Sequence, residues 1–237
     1  MILKKWEELP ESLQTDAVRP YYDLLAKRRG SLALKRCFDA VVSALMLLVL
    51  APVFAVLALA IKLDSPGPVF YRAVRGGYKN QPFYIMKFRT MVVDADKTGG
   101  CTAKDDPRVT KSGKIMRRLK LDELPQLLNI IKGDMSFVGP RPELLLYTNA
   151  YTEEQQCIMW VRPGITDRSS IVYIAQDEIV GTENPVENYE KYILPEKNRL
   201  RVEYAKNQSF KLDMQLFFET IGGVFGKAKK MAQEKGK

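Results

Sequence analysis

Histidine is absent from all 237 residues. A histidine general base, a Ser-His triad and a His-ligated zinc are therefore excluded. Cysteine is scarce. Cys37, Cys101 and Cys157 are too far apart for metal-ligand or redox spacing, which fits a reducing cytoplasm. Acids are outnumbered, 28 against 37 Lys and Arg, for a net charge of +9. That surplus points to an anionic partner: nucleic acid, a phosphorylated substrate or a negatively charged membrane face. What remains for chemistry is carboxylate, amine, guanidinium and a hard cation held by oxygen.

Charge is also missing from one long stretch, Ala40 to Ile61. As a straight helix it would run about 33 Å, enough to span a bilayer core. It begins too far in and runs too long for a cleaved signal peptide, and it is apolar on every face, unlike an ordinary core helix. Pro52 sits at its centre, where a missing N–H and a bulky ring break or bend a helix. Basic residues flank both sides: Lys27, Arg28, Arg29, Lys35 and Arg36 before, Lys62, Arg72, Arg75 and Lys79 after. The positive-inside rule then draws both ends to the cytoplasm. A spanning helix stays open, but a segment 37–62 that enters, bends at Ala51-Pro52 and returns satisfies both features.

Elsewhere the chain reads as a small α/β domain, mostly helical. Residues 1–36 are amphipathic, either a membrane-surface helix or a helix on the core. Val69–Arg72 and Phe83–Met91 read as a hairpin, with Lys87 and Arg89 on one strand face. Residues 92–107 read as loop, and a helix starts after Pro107. Leu124, Leu127, Leu128 and Ile131 form a helical stripe that Gly133 ends. This sets Asp122 and Glu123 at or near a helix N-terminus, where the macrodipole would keep Asp122 ionised. A capping acid beside a first-turn acid is the ordinary explanation of such a pair. The tail has a stripe of Leu212, Leu216, Phe217 and Ile221, then lysines, as an interfacial or a packing helix.

The acid pair has unusual company. Arg117, Arg118 and Lys120 precede it, and Arg141 follows in "GPRP", its backbone stiffened by Pro140 and Pro142. Adjacent helical residues point about 100° apart, so the pair is poorly placed to share a proton. It suits two jobs: one oxygen toward a reacting atom, another toward a metal. The cations around it suit a diphosphate, which Arg can grip bidentately.

These segments resemble the bacterial sugar transferases, specifically the monotopic polyprenyl-phosphate phosphoglycosyl transferases. The likeness runs from "KRCFDAVVSALMLLVLAPVF" through "KFRTM", "DPRVTKSGKIMRRLKLDELPQLLNIIKGDMSFVGPRP" and "RPGIT" to "NQSFKLDMQLFF". The resemblance implies a re-entrant helix at 37–62 and a catalytic domain at 63–208 on the cytoplasmic face of a bacterial inner membrane. A C-terminal interfacial helix and basic tail, 209–237, would follow. It implies transfer of a sugar-1-phosphate from a UDP-sugar to polyprenyl phosphate, with release of UMP, through a covalent aspartyl intermediate. Asp122 would be the nucleophile and Glu123 the ligand of Mg²⁺ or Mn²⁺. Lys87, Arg117, Pro140 and Arg141 match functional positions of the pattern, and Arg89 and Lys120 join them as expected substrate-binding cations. The compact form of the family is expected, serving exopolysaccharide or lipopolysaccharide assembly. Membrane lipids are expected partners; a second copy and downstream glycosyltransferases are admissible ones. Nucleic acid is not expected, because the basic residues surround an acidic pair and no recognition motif accompanies them. The alternative is a non-catalytic monotopic anchor on an anionic inner leaflet.

Three departures stand out. Ala51 replaces a serine that often precedes the membrane proline. "DRSS", Asp167 to Ser170, replaces the Gly-Trp that often follows "RPGIT". Arg201 stands where relatives can carry an acid, two residues before Glu203, leaving open whether Glu203 takes its part.

Overall fold

The computed structural model describes residues 3, 5–9, 11–95, 106–173, 176–180 and 183–234. Cys101 and most of the expected acidic loop lie outside them.

Pro20 opens α1 (Arg19–Lys27), where its missing N–H costs nothing. The segment around it settles the choice left open by the sequence. Leu9, Leu13, Val18, Tyr22 and Leu25 are all buried in the main core. Trp6 stacks on Trp160, with ring centroids 5.7 Å apart. This region therefore packs on the domain.

Helix α2 (Arg29–Asp64) is assigned as one element through Pro52, so the proline does not divide it into two. If straight, 36 residues would span about 54 Å. One side of it faces the domain. Val42, Met46, Leu47 and Leu50 pack on the main core, and Phe54, Leu57 and Ile61 on a second cluster with Phe88 and Met116. The other side is bare: Leu48, Val49, Val56 and Leu63 are each at least two-thirds exposed. Ala51 and Pro52 are exposed at the midpoint. An apolar face of this length has no solvent-side account, and the helix is long and apolar enough to cross a bilayer.

Both ends of α2 are bonded to the same domain. Near its start, Lys35 Nζ donates to the Val138 carbonyl at 2.8 Å, Arg36 to the Ile131 carbonyl at 2.8 Å, and Asp39 accepts the Phe137 N–H at 3.2 Å. At its end, Asp64 accepts the Ser112 N–H and hydroxyl, each at 2.7 Å.

The expected hairpin forms, with later and earlier limits: β1 (Phe70–Gly76) pairs antiparallel with β2 (Pro82–Phe88), Tyr71 opposite Lys87. Helix α3 (Lys111–Arg118) is capped by the Thr110 hydroxyl, which accepts the Gly113 N–H at 3.1 Å. Helix α4 (Gln126–Lys132) ends on Gly133 at φ +93°, a left-handed stop. Its buried face is not the predicted stripe. Gln126, Leu127, Asn129 and Ile130 are inside, while Ile131 is exposed. The reason is Asn129, which bonds the Met86 N–H and the Tyr84 carbonyl and so turns that face onto β2.

A second sheet positions the rest of the site. β3 (Ser136–Val138) and β4 (Gly164–Thr166) pair in parallel. Their ends approach so closely that a β-carbon at Gly139 would lie 2.2 Å from the Arg162 carbonyl oxygen, and one at Gly164 would lie 2.2 Å from the Gly139 nitrogen. Only glycine fits at either point. After β3 the chain forms α5 (Leu145–Asn149); after β4 come α6 (Arg168–Val172), α7 (Gln176–Val180) and α8 (Pro185–Asn188). A π-helical turn, Tyr189–Ile193, leads into α9 (Leu194–Asn207) and then α10 (Phe210–Glu234). Leu212, Leu216 and Phe217 pack on the core as the tail stripe predicts, so the first half of α10 is a packing helix. Ile221 is partly exposed.

Candidate active site

Asp122 and Glu123 sit in a single 3-10 turn, Leu121–Glu123. The turn follows α3 and precedes Pro125, the N-cap of α4, so the pair lies just ahead of the helix, outside its first turn. Lys120 enters the turn at φ +57°, a left-handed conformation that costs a residue with a β-carbon about 1–2 kcal/mol. Leu121 and Leu124 pack on the cluster of Ile61, Phe88 and Met116, to which α2 contributes Ile61. The acid pair is thus moored to the apolar helix.

The two carboxylates have opposite environments. Glu123 is gripped from two elements. Lys87 of β2 donates from Nζ to Oε1 at 3.0 Å, and Arg141 Nη1 donates to Oε2 at 3.1 Å while its Nη2 bonds Oε1. Burial alone would raise its carboxyl, but Arg141 and Lys87 outweigh that and hold it far below the usual carboxylate range. Asp122 is buried to 7% exposure, and its Oδ1 has no hydrogen-bond partner among the described residues. Burial raises its carboxyl, opposed by Lys87, with Glu123 raising it further. The helix-dipole expectation for Asp122 is corrected here. Helix α4 starts four residues later, and desolvation dominates. A buried carboxylate oxygen with no partner is costly and uncommon in a merely structural role.

The predicted cations divide. Lys87 and Arg141 meet at Glu123. Arg117 Nε donates to the Thr90 hydroxyl at 2.8 Å and lowers Asp122 through its charge. Lys120 is exposed and acts on both acids through charge. Arg89 does not share the face of Lys87. The strand ends at Phe88, and Arg89 turns inward to donate to the carbonyls of Ser65, Pro66 and Pro68 at 2.6–2.8 Å. It fastens the turn that leaves α2. Pro140 is buried, and its carbonyl accepts the Gly164 N–H at 3.1 Å, which fixes the loop carrying Arg141.

Sequence reasoning left Glu143, Asp167 and Arg201 without a place in the site. Asp167 caps α6 by accepting the Ser170 N–H at 2.6 Å, and it accepts the Arg141 N–H at 3.0 Å. The run Asp-Arg-Ser-Ser is a capping signature, and that signal was available. Glu203 is exposed and faces Arg199 at 3.4 Å.

Among the described residues no three acidic or thiol side chains cluster as a cation cage. The donors fit a different mode. Mg²⁺ keeps several waters and commonly binds one or two carboxylates together with substrate phosphates. Glu123 together with the substrate phosphates would be such a donor set, beside the unpartnered Asp122 Oδ1.

Comparison with known proteins is consistent with this geometry. A family model described as bacterial sugar transferase matches residues 30–227. The UDP-glucose:undecaprenyl-phosphate glucose-1-phosphate transferase of Escherichia coli (strain K12) is 37% identical over 215 residues, covering 89% of this chain and 44% of that protein. The uncharacterized sugar transferase EpsL of Bacillus subtilis (strain 168) is 40% identical over 192 residues, covering 81% of this chain and 87% of that protein. The UDP-N-acetylgalactosamine-undecaprenyl-phosphate N-acetylgalactosaminephosphotransferase of Aeromonas hydrophila is 36% identical over 192 residues, covering 79% of this chain and 43% of that protein. The chain thus spans less than half the length of the Escherichia and Aeromonas proteins and most of the Bacillus one.

Proposed function

The chain belongs to the bacterial sugar transferase family, and from that premise we propose that it moves a sugar-1-phosphate from a UDP-sugar to a polyprenyl phosphate such as undecaprenyl phosphate, releasing UMP. The observation that carries the reading is the contrast inside one turn: Asp122 buried with its Oδ1 unpartnered among the described residues, Glu123 held by Lys87 and Arg141. An Asp122 oxygen attacks the sugar-bearing phosphorus. The bond from that phosphorus to the bridging oxygen breaks, and its electron pair leaves on UMP. The lipid phosphate oxygen then attacks the same phosphorus, and the bond to Asp122 breaks, restoring the carboxylate. Each attacking oxygen acts in its ionised form and needs no general base, which suits a chain without histidine. Lys87 and Arg141 hold Glu123 and present positive charge where the diphosphate must lie. Mg²⁺, held through Glu123 and the substrate phosphates, would supply further neutralisation of the diphosphate. A non-catalytic anchor gives no reason for the isolated Asp122.

The test is UMP release in detergent with undecaprenyl phosphate and a panel of UDP-sugars. UDP-glucose and UDP-N-acetylgalactosamine come first, since the names of the relatives divide between those sugars. UMP that depends on both substrates is expected. No UMP with any UDP-sugar would refute the reading.

Acid pH should inhibit in a diagnostic way. The nucleophile must be ionised, and Asp122 has its carboxyl raised above 3.8. The acid limb of kcat/KM is therefore expected above the ordinary aspartate value. Lys87→Gln should move it higher still, because Lys87 is the leading group that favours the ionised form. A limb that stays put in Lys87→Gln would count against Asp122 as the titrating group.

The re-entrant topology belongs to the same proposal. Its support is that one folded domain bonds both ends of α2, through Asp39 and Asp64, and a domain cannot sit on both faces of a membrane. The basic flanks act in the same direction. Lys27→Cys and Lys114→Cys, in a background without the native cysteines, should both resist an impermeant maleimide in intact spheroplasts and label after permeabilisation. Labelling of the first site alone from outside would mean a spanning helix.

A further inference from the structure

Two departures of this chain from the pattern it resembles meet in space. Asp167 stands in place of the glycine that often follows "RPGIT", and Arg201 in place of an acid. They form an ion pair, Nε to Oδ2 at 3.6 Å, with side-chain exposures of 0% and 2%. At that separation the contact is charge without a hydrogen bond, and Nε has no other partner among the described residues.

Both partners lead to Arg141. Asp167 Oδ2 accepts the Arg141 N–H at 3.0 Å, while Oδ1 accepts the N–H and hydroxyl of Ser170, each at 2.6 Å. Arg201 Nη2 donates to Glu143 Oε1 at 2.8 Å, two residues beyond Arg141. The Glu143 carbonyl accepts the Gly76 N–H at 3.0 Å and so ties the same loop to β1. The Arg141 guanidinium is left with two anchors, the Ile165 carbonyl at 2.7 Å and Glu123. A single buried guanidinium therefore restrains the loop 141–143 at both ends.

Removing two charges from water costs several kcal/mol per ion, and an apolar pair of similar volume is often as stable. A pair kept at that cost has its explanation in aim. Burial raises the Asp167 carboxyl, but Arg201, Ser170 and the Arg141 N–H outweigh it, so the charge persists.

We infer that Asp167 and Arg201 are positioning residues for the transfer reaction, which set the aim of Arg141 on Glu123 without touching the substrate. The inference rests on the proposed function for the role of Arg141, and its test separates the two.

Asp167→Asn removes the charge that Arg201 faces and leaves one acceptor oxygen where the Ser170 N–H and the Arg141 N–H now use two. Asp167→Glu keeps the charge and moves it by one methylene, and serves if the first variant does not fold. For either, kcat should fall about 10–100-fold, the scale of a small misplacement in an oriented site. KM for the UDP-sugar and the order of sugar preference should not move. In an Arg141→Lys background, where the fork is already lost, the same substitution should cost little more. A full additional loss there, or a changed sugar preference, would overturn the inference. Hydrogen exchange judges it independently of any activity. The Arg141 amide should exchange faster in Asp167→Asn than in the parent, with the α4 amides unchanged. An unaltered Arg141 amide would overturn the inference even if UMP is released. A parent that releases no UMP would refute the proposed function and leave this arm to decide the positioning.

Discussion

Asp122→Asn is expected to lose turnover on the order of 10⁴-fold or more while the protein stays folded, because a neutral amide is a poor nucleophile. The same substitution should leave the melting temperature unchanged or raise it. In the native chain a buried carboxylate lacks a partner at Oδ1, and a charge in that position opposes folding. Relief of that cost with loss of activity is the expected behaviour of a site where stability is given up for function. Circular dichroism melts beside the UMP assay check both halves. An active Asn variant would remove Asp122 from the chemistry. A strongly destabilised one would return the residue to a structural role.

Glu123→Gln should behave in the opposite way on stability. It keeps the shape but takes the charge from between Lys87 and Arg141. Breaking a fully buried pair costs about 3–5 kcal/mol; here both cations are 27% exposed, so about 2–3 kcal/mol is the expected loss. The sign of the pH dependence follows from the depressed carboxyl. A group with a lowered folded pKa stabilises above its unfolded value, near 4.5, and that contribution fades as pH falls toward the folded value. The stability gap between parent and Glu123→Gln should therefore be full at neutral pH and shrink steadily below about pH 4.5. Activity should fall as well, and the response to Mg²⁺ or Mn²⁺ after exhaustive chelation should weaken. A parent that keeps full activity after chelation would rule out the metal, and a gap constant with pH would rule out the ion pair.

The site was legible where its residues are close in sequence or marked by stiff segments. Asp122 and Glu123 are adjacent, Arg141 is clamped between Pro140 and Pro142, and Lys87 lies on a strand of clear β composition. The structure brings these four together. Periodicity failed where a polar side chain decided the facing. Asn129 turned α4 so that Ile130 is buried and Ile131 exposed, and Arg89 left the strand face because the strand ends at Phe88. The ionisation of Asp122 could not be read from the helix pattern, since burial dominates and burial is a tertiary property. Asp167 and Arg201 are 34 positions apart, and nothing local says that they meet. Their residue types were visible as departures, but the ion pair was not. For α2, the sequence carried length, apolarity and flanking charge; the bonds from Asp39 and Asp64 to one domain come only with the fold.

The central claim is a covalent step at Asp122, and one measurement addresses it directly. The parent is incubated with a labelled UDP-sugar and no lipid acceptor, quenched, digested and analysed by peptide mass spectrometry. The account predicts a phospho-sugar adduct on the peptide containing Asp122, lost when polyprenyl phosphate is added and never formed in Asp122→Asn. An adduct on another residue, or turnover in the presence of acceptor with no adduct in its absence, would contradict it.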